Sequence, residues 1–412
     1  MTTESVSVDQ RYVAFRHGAF VRYWISRFVV TFATQVVSVA VGWQIYDLTR
    51  DPFDLGLVGI IQFAPSLLLV LVTGAAADRF GRRLIMGISC LIQASCSLAL
   101  LGLALQDLAG PGPVFAVLAV FGVARAFFAP ASGALVANLV PPEDFANAVA
   151  WNSSAWQLAT IIGPVAGGLL YGLGAEVAYG AAVLLMVAGA LLVLSIPKPA
   201  QRSSVDKPSL ATLFAGFGYV RGERIVFGAI SLDLFAVLLS GATALMPVYA
   251  RDILELGPWG LGMLRAAPSF GAIFVALWLA AHPIRDHAGI LMLAAVVVFG
   301  IFTCVFGLST TGWLSIAALA LLGAADMVSV YIRETLIQLW TPDELRGRVN
   351  AINMVFVGAS NELGEFRAGM MAAAIGTVPA VVLGGVGAVV VAGLWAALFP
   401  ELRKIRHLDG RS

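Results

Sequence analysis

The stretch Gly74-Ala75-Ala76-Ala77-Asp78-Arg79-Phe80-Gly81-Arg82-Arg83 decides the fold. It places four charges, three of them arginines, between two long apolar runs. Charged side chains are costly inside a bilayer, so the four charges mark a point where the chain has left the hydrocarbon. Basic residues in a short loop favour the cytoplasmic side. The stretch therefore predicts a tight cytoplasmic turn between two membrane-spanning helices.

The composition predicts a polytopic membrane protein. Of the 412 residues, 59% are hydrophobic and 12% are charged, against about 45–50% and about 25% in soluble domains. The mean hydropathy is +0.90. A net charge of +1 gives no electrostatic basis for binding nucleic acid. The sequence also lacks a Gly-x-x-x-x-Gly-Lys-Ser/Thr phosphate loop, which argues against ATP-driven pumping, and we expect no enzymatic activity.

The cysteines and the N-terminal segment add little chemistry. Cys90, Cys96 and Cys304 lie inside apolar runs, at spacings that match neither a disulfide framework nor a zinc site. We therefore expect no metal and no cofactor; a metal site at His282 and His287 is a minor alternative, because a third ligand is missing. Residues 1–20 have no apolar core of the kind a signal peptide needs, so the N-terminus is predicted to stay in the cytosol.

Apolar runs long enough to cross a bilayer recur about twelve times, and a crossing needs about 20 residues. Helices are the predicted form, because open strands leave backbone groups unsatisfied in lipid. The predicted spans are 23–46, 55–77, 84–106, 113–137, 147–171, 177–196, 225–250, 259–281, 289–308, 313–338, 348–375 and 379–400.

The basic residues predict the orientation. Eighteen of the 25 fall in segments on one side, only Arg50 and Arg251 fall on the other, and five lie within spans. Basic residues concentrate in cytoplasmic loops. We therefore expect both termini to be cytoplasmic.

The chain also repeats itself. Tyr46, Gly59 and Ala64-Pro65-Ser66 recur as Tyr249, Gly262 and Ala267-Pro268-Ser269, 203 positions later. Six helices per repeat give two parallel halves, with a substrate site expected midway between them. The predicted domains are a cytoplasmic segment 1–22, a six-helix bundle 23–196, a cytoplasmic linker 197–224, a second bundle 225–400 and a tail 401–412.

Three motifs carry a family resemblance that covers nearly the whole chain. The stretch from Gly74 to Arg83 resembles the signature loop of the major facilitator superfamily. Gly163-Pro164-Val165-Ala166-Gly167-Gly168 is similar to the core of the exporter motif of that superfamily, although Ala159 stands where that motif has another glycine. The run from Thr341 to Val349, followed by Glu362-Leu363-Gly364-Glu365, resembles the bacterial branch that contains the enterobactin exporter and drug-efflux proteins.

The resemblance implies a cytoplasmic gate. In this expected gate, Asp78 is held by the positive end of a neighbouring helix that begins near Arg346 and Arg348. Gly81 is expected to supply a tight turn, because glycine accepts unusual backbone angles. The alternative is that the arginines only fix the topology. The predicted gate comprises Gly74, Asp78, Arg79, Gly81, Arg82, Arg83, Arg346 and Arg348.

The exporter motif has two interpretations. Its residues either let the fifth span approach a partner closely and bend, or are ordinary small packing residues of a membrane helix. They are Gly163, Pro164, Gly167 and Gly168.

Ionisable residues within the spans are the candidates for proton coupling, because such residues generally face a cavity or a partner. A buried carboxylate that alternates between neutral and ionised forms can couple proton entry to substrate exit. A static pair of Asp326 with Arg333, seven residues apart on one helix face, is the alternative. The coupling candidates are Arg125, Asp233, Asp326, Glu362 and Glu365, and the candidates for a substrate cavity are Gln35, Gln62 and Phe63.

Together these features predict a proton-coupled exporter of small amphipathic molecules, such as a siderophore or a drug, that works by alternating access. Its partners would be a small-molecule substrate, protons and the lipid bilayer, and we expect a monomer in the bacterial inner membrane. The alternatives are an importer or a lysophospholipid flippase of the same fold, or a membrane scaffold or sensor that does not transport.

Overall fold

A computed structural model describes residues 12–106, 110–198, 217–284 and 286–405, and within these ranges the chain forms helices and turns without a strand. The helices up to residue 198 are α1 Gly18–Thr49, α2 Pro52–Leu68, α3 Val70–Arg79, α4 Arg82–Ala104, α5 Gly112–Leu135, α6 Phe145–Leu173 and α7 Ala175–Leu194. The later helices are α8 Arg224–Ser240, α9 Gly257–Ala281, α10 Ala288–Leu308, α11 Gly312–Trp340, α12 Asp343–Ile375, α13 Thr377–Leu398 and α14 Pro400–Lys404.

Each predicted span falls on a helix, and the all-helical membrane fold is confirmed. Ten helices of the described residues are long and apolar enough to cross a membrane. The remaining two predicted spans correspond to α2 with α3, and to α12, whose charged residues lower its hydropathy.

The second predicted span is interrupted. Pro65 lies inside α2, where a proline has no N–H to donate and its ring disturbs the preceding turn. At Leu69 the backbone leaves the helical region, yet its N–H still donates to the Pro65 carbonyl at 2.9 Å. The interruption is therefore a kink between α2 and α3, with helix on both sides.

The contacts divide the chain into two compact units. Unit 1 comprises Met1–Gln44 and Ile61–Pro208. Its core packs side chains of α1, α4, α5 and α7, and the fully buried Tyr23 donates a hydrogen bond to the Ser132 carbonyl at 2.9 Å. Arg27 donates to the Ser132 hydroxyl at 2.6 Å. These bonds fix α1 to the C-terminal part of α5.

Unit 2 comprises Ile45–Ile60 and Ser209–Ser412. Its core lies between α8, α10, α11 and α13. The segment 45–60, formed by the end of α1 and the start of α2, packs on α12 through glycines. A β-carbon on Gly56 would lie 3.1 Å from the Cα of Phe366, and one on Gly369 would lie 2.8 Å from the Pro52 carbonyl. Only glycine allows these two helices to approach so closely.

The chain between α8 and α9 is irregular. α8 ends at Gly241 in the left-handed conformation, with φ of 51°. Short turns come next, ending in a π-helical turn over Tyr249–Ile253, where the Leu254 N–H donates to the Tyr249 carbonyl at 2.8 Å.

Three predicted segments fall largely outside the described residues. They are 1–11 of the N-terminal segment, 199–216 of the linker and 406–412 of the tail. The domain boundaries predicted from the sequence remain a prediction.

Candidate functional site

The predicted gate loop of unit 1 is organised by two arginines. Arg82 donates to the Ala134 carbonyl at 2.9 Å and to the Asn138 side-chain oxygen at 2.8 Å. Arg83 donates to the Ile196 carbonyl. These acceptors lie at or just beyond the C-terminal ends of α5 and α7, where carbonyls lack helical partners. The two arginines therefore stabilise helix ends, whatever else they do.

Gly81 lies in the two-residue turn between α3 and α4, but its backbone conformation is not one that needs glycine. Gly81 precedes α4 with φ of −62° and ψ of 113°, which is ordinary extended backbone. A β-carbon there would meet only Leu84, at 3.9 Å. Neither the conformation nor the packing at this position requires a glycine.

The other gate residues are only partly defined. Arg79 is exposed at the end of α3, with its guanidinium 5.9 Å from the centre of the Phe80 ring. Gly74 is half-buried in α3, and Arg346 and Arg348 lie near the start of α12. The side chain of Asp78 lies outside the described part of the structure, so the gate remains a prediction.

The exporter motif packs directly on α1. A β-carbon on Gly163 would lie 2.7 Å from the Cβ of Gln35, and one on Gly167 would lie 3.0 Å from the Cα of Val36. Pro164 and Gly168 are buried in the same stretch of α6. This contact brings Gln35, a predicted cavity residue, against the motif.

Arg125 of α5 meets a second predicted cavity residue. Its guanidinium donates to the Gln62 side-chain oxygen of α2 at 3.1 Å. One turn earlier, Gly122 brings α5 close to α2, because a β-carbon there would lie 2.5 Å from the Gln62 carbonyl. Phe63, the third predicted cavity residue, is half-buried on the same helix.

In unit 2, Asp233 of α8 and Arg333 of α11 form a buried ion pair. Their side chains are 8% and 4% exposed. The static pair of Asp326 with Arg333, the alternative to proton coupling, is not formed; Asp326 contributes only to the electrostatic surroundings of Arg333. Glu334 approaches the same guanidinium at 3.9 Å and accepts a hydrogen bond from Asn353 at 2.8 Å.

A cavity of about 220 Å³ lies inside unit 2 and is lined by side chains of α8, α9, α11 and α12. Two of the predicted coupling residues, Asp326 of α11 and Glu365 of α12, line its wall together with Asn361 and Thr243. Arg265 of α9 acts electrostatically on Glu365. The cavity thus combines two carboxylates with a nearby cation in a space large enough for several water molecules.

Glu362 and Glu365 both face the start of α2. A β-carbon on Gly59 would lie 2.7 Å from one Glu362 carboxylate oxygen and 3.5 Å from one of Glu365. The segment 45–60 therefore contacts the same two carboxylates that the sequence assigns to coupling.

A second set of charges lies at the ends of α1 and of the π-helical turn. Asp47 pairs with Arg251 at 2.5 Å, and Arg50 pairs with Asp252 at 3.2 Å. The Tyr46 hydroxyl donates to the Asp252 carboxylate. We call the two ion pairs the crossed pairs. They join the two segments that the sequence repeat matches through Tyr46 and Tyr249.

Sequence reasoning missed several of these contacts. Arg265 is recognisable as a charge within a span, but nothing in the sequence pairs it with Glu365. The crossed pairs were also missed, although Arg50 and Arg251, the only basic residues predicted on the outer side, were a usable signal. Arg367 donates to the Leu238 carbonyl at 3.0 Å and to that of Leu239, which satisfies the end of α8.

Comparison with known proteins identifies the chain. A family model described as transmembrane secretion effector, a branch of the major facilitator superfamily, matches residues 10–412. The chain belongs to this family. Members of the transmembrane secretion effector family are membrane transporters, and this chain is a multi-pass transporter of that kind rather than an enzyme.

Curated relatives of this family member include enterobactin exporters. The exporter of Escherichia coli O1:K1 is 28% identical over 397 residues, covering 95% of this chain and 94% of that protein. The enterobactin exporter of Citrobacter koseri matches to the same extent.

Solved structures share the fold of this transmembrane secretion effector. A bacterial homologue of the human lysosomal transporter Spinster, inward-facing and unoccupied, superposes with a TM-score of 0.68 at 15% identity, over 97% of this chain and 98% of that one. The nucleoside transporter NupG superposes with a TM-score of 0.70 at 15% identity, over 92% and 99%.

Proposed function

We propose that this protein is a proton-coupled exporter of a siderophore or a similar amphipathic molecule, and that it works by alternating access. It would lie in the bacterial inner membrane as a monomer with both termini in the cytoplasm. The observation that carries the coupling is the cavity of about 220 Å³ with Asp326 and Glu365 in its wall. The names of the enterobactin exporters, to which the chain is similar along almost its whole length, support export and the class of cargo.

The chemistry needs a carboxylate that exchanges a proton when the accessible side changes. Burial favours the neutral carboxylic acid, and a nearby cation favours the carboxylate. Glu365 is under both influences, since Arg265 acts on it and the cavity wall removes it from bulk water. A proton taken up from the outside and released to the cytoplasm would then drive cargo in the opposite direction.

Asp233 has a narrower role in this proposal than in the sequence-based hypothesis. Its carboxylate is engaged in the ion pair with Arg333, whereas Asp326 faces the cavity and senses the same arginine. We therefore assign proton exchange to Asp326 and Glu365. Asp233 and Arg333 would position Asp326.

The test uses the purified protein in proteoliposomes with an imposed proton gradient and a catecholate siderophore such as enterobactin as cargo. The wild-type protein should move cargo against the proton flow, and a protonophore should abolish the movement. Glu365→Gln and Asp326→Asn should each lose gradient-driven transport while retaining exchange of cargo without a gradient. Glu143→Gln, an exposed carboxylate outside the cavity, is the matched control.

Three outcomes would contradict the proposal. Gradient-driven transport in both cavity variants would remove the two carboxylates from coupling. Cargo movement in the same direction as the protons would favour an importer. No transport of any siderophore, dye or lysophospholipid by a folded protein would favour a scaffold or sensor.

A further inference from the structure

A basic pocket of about 280 Å³ lies in unit 1 at the start of α4. Three cations, Arg82, Arg83 and Lys198, form its wall together with Gly81, Leu84 and Asn138. We call this the basic pocket. It is separate from the carboxylate cavity of unit 2, and the proposed transport cycle assigns no ligand to it.

Backbone carbonyls hold two of these cations in place. Arg82 is anchored on the Ala134 carbonyl and on Asn138, and Arg83 on the Ile196 carbonyl. Carbonyls orient a guanidinium but leave its full charge uncompensated. Among the described residues, neither Arg83 nor the exposed Lys198 has a carboxylate within ion-pair distance. The described part of the chain therefore supplies no anion for these two charges of the basic pocket.

A further cation lies close by. Arg22 of α1 donates to the Ser195 carbonyl at 2.8 Å, next to the Ile196 carbonyl that Arg83 binds. Its side chain is exposed. The cationic surface thus extends beyond the pocket along the C-terminal end of α7.

The basic pocket opens beside an apolar stripe. Leu84, which lines the pocket, is 51% exposed, and it begins a row on one face of α4. The row continues through exposed Ile88 and Leu91, at intervals of four and three residues, and reaches exposed Leu98 two turns further on. Residues at these intervals share one helix face. In a membrane, this face borders the acyl chains of the lipid.

The basic pocket lies at one end of an apolar helix face, and this arrangement is complementary to one kind of molecule. A phospholipid presents a negative phosphodiester above a long apolar chain. The predicted topology puts the basic pocket at the cytoplasmic leaflet, where negative lipids attract clustered Lys and Arg, and basic pockets between membrane helices bind such headgroups. We propose that the basic pocket binds the headgroup of an anionic phospholipid, with an acyl chain lying along α4.

The experiment titrates the purified full-length protein with phosphatidylglycerol or with phosphatidylcholine of the same chain lengths, and counts bound lipids by native mass spectrometry. We expect tighter binding of phosphatidylglycerol. Lys198→Gln should weaken that binding about fivefold, because a basic residue near an anionic surface contributes about that factor. Lys404→Gln, an exposed lysine outside the basic pocket, should leave binding unchanged.

Arg83→Gln should also weaken phosphatidylglycerol binding. Because Arg83 holds the end of α7, its thermal unfolding must be checked, and Lys198→Gln keeps the proposal testable if Arg83→Gln does not fold. Equal binding of the two lipids, or wild-type affinity in folded Lys198→Gln, would overturn the proposal. A second arm adds inorganic phosphate: displacement of the lipid by millimolar phosphate, with phosphate retained in its place, would identify a site for free phosphate instead.

Discussion

Arg333 and Asp233 lie one hundred residues apart in the sequence and form an ion pair whose side chains are almost completely buried. Taking two charges out of water is expensive, and their attraction compensates for this only while both partners are present. The pair therefore ties α8 to α11 in a way that tolerates the loss of both charges better than the loss of one.

Neutralising one partner should destabilise the protein. Asp233→Asn leaves the Arg333 guanidinium buried without its ion-pair partner, and the loss of one member of such a pair costs about 3–5 kcal/mol. Asp326 acts on the same guanidinium, so the loss should fall toward the lower end of that range. Thermal unfolding in detergent measures it.

The double variant Asp233→Asn with Arg333→Gln provides the control. It removes both charges and should recover most of the stability lost by either single variant. If the losses simply add, the two residues are not coupled.

The glycines of α6 should be intolerant of a single added carbon. Gly163→Ala places a methyl group against Gln35, and Gly167→Ala places one against Val36. Overpacking of this kind costs about 1–3 kcal/mol. We expect lower unfolding temperatures for both variants.

Gly172→Ala is the matched control on the same helix, since nothing lies within 4 Å of its added carbon. It should be neutral or slightly stabilising, because alanine favours a helix over glycine by about 1 kcal/mol. Equal losses at all three positions would mean that the effect comes from the backbone and not from the contact with α1.

The crossed pairs should respond to charge reversal. Asp47→Arg places a third cation beside Arg50 and Arg251, and the added Arg251→Asp should restore an attractive pair. The pairs are partly exposed to solvent. The neutralising variant Asp47→Asn should therefore lower the free energy of unfolding by at most about 1 kcal/mol, and by less at high salt.

Thermal unfolding of the charge-reversed, doubly swapped and neutral variants at low and high ionic strength measures these effects. Glu143→Arg, an exposed reversal away from the crossed pairs, should leave the unfolding temperature unchanged. A swapped double variant that is no more stable than Asp47→Arg alone would exclude a direct attraction between positions 47 and 251.

The predicted orientation can be tested by labelling. In a background without Cys90, Cys96 and Cys304, a membrane-impermeant maleimide should label Thr310→Cys on intact cells, because the turn before α11 is predicted to face out. Glu143→Cys, in a predicted inner turn, should react only after the membrane is opened. The reverse pattern would invert the topology.

The sequence predicted the helices well because their signal is local. About twelve apolar runs of membrane length are visible in the order of the residues, and each falls on one helix or on two consecutive helical segments. The irregularities inside those runs were less predictable. Pro65 lies one turn before the kink at Leu69, but Pro130, Pro164 and Pro268 lie inside uninterrupted helices, so a proline alone does not mark such a break. The π-helical turn at Tyr249–Ile253 has no marker in the sequence either.

The sequence predicted which residues belong to the sites, but not which of them contact one another. A charge within a span is recognisable by itself, whereas its partner depends on how helices pack. Asp326 and Arg333 share a helix face, and the sequence therefore offered that pair as an alternative to proton coupling; the packing of α8 against α11 pairs Arg333 with Asp233 instead. Lys198 joins Arg82 and Arg83 in one pocket only because the ends of α4 and α7 meet there.

The π-helical turn has a consequence for how the chain can change in length. Such a turn holds one residue more than an α-helix would. Removing that residue would restore regular helix but rotate the chain beyond the turn by about 100°. Either Asp252 or Arg251 would then turn away from the partner it now has on α1. The extra residue of the π-helical turn is therefore retained by the crossed pairs that it allows to form. Homologues without the extra residue should also lack the charges at positions 47 and 50, at the end of α1.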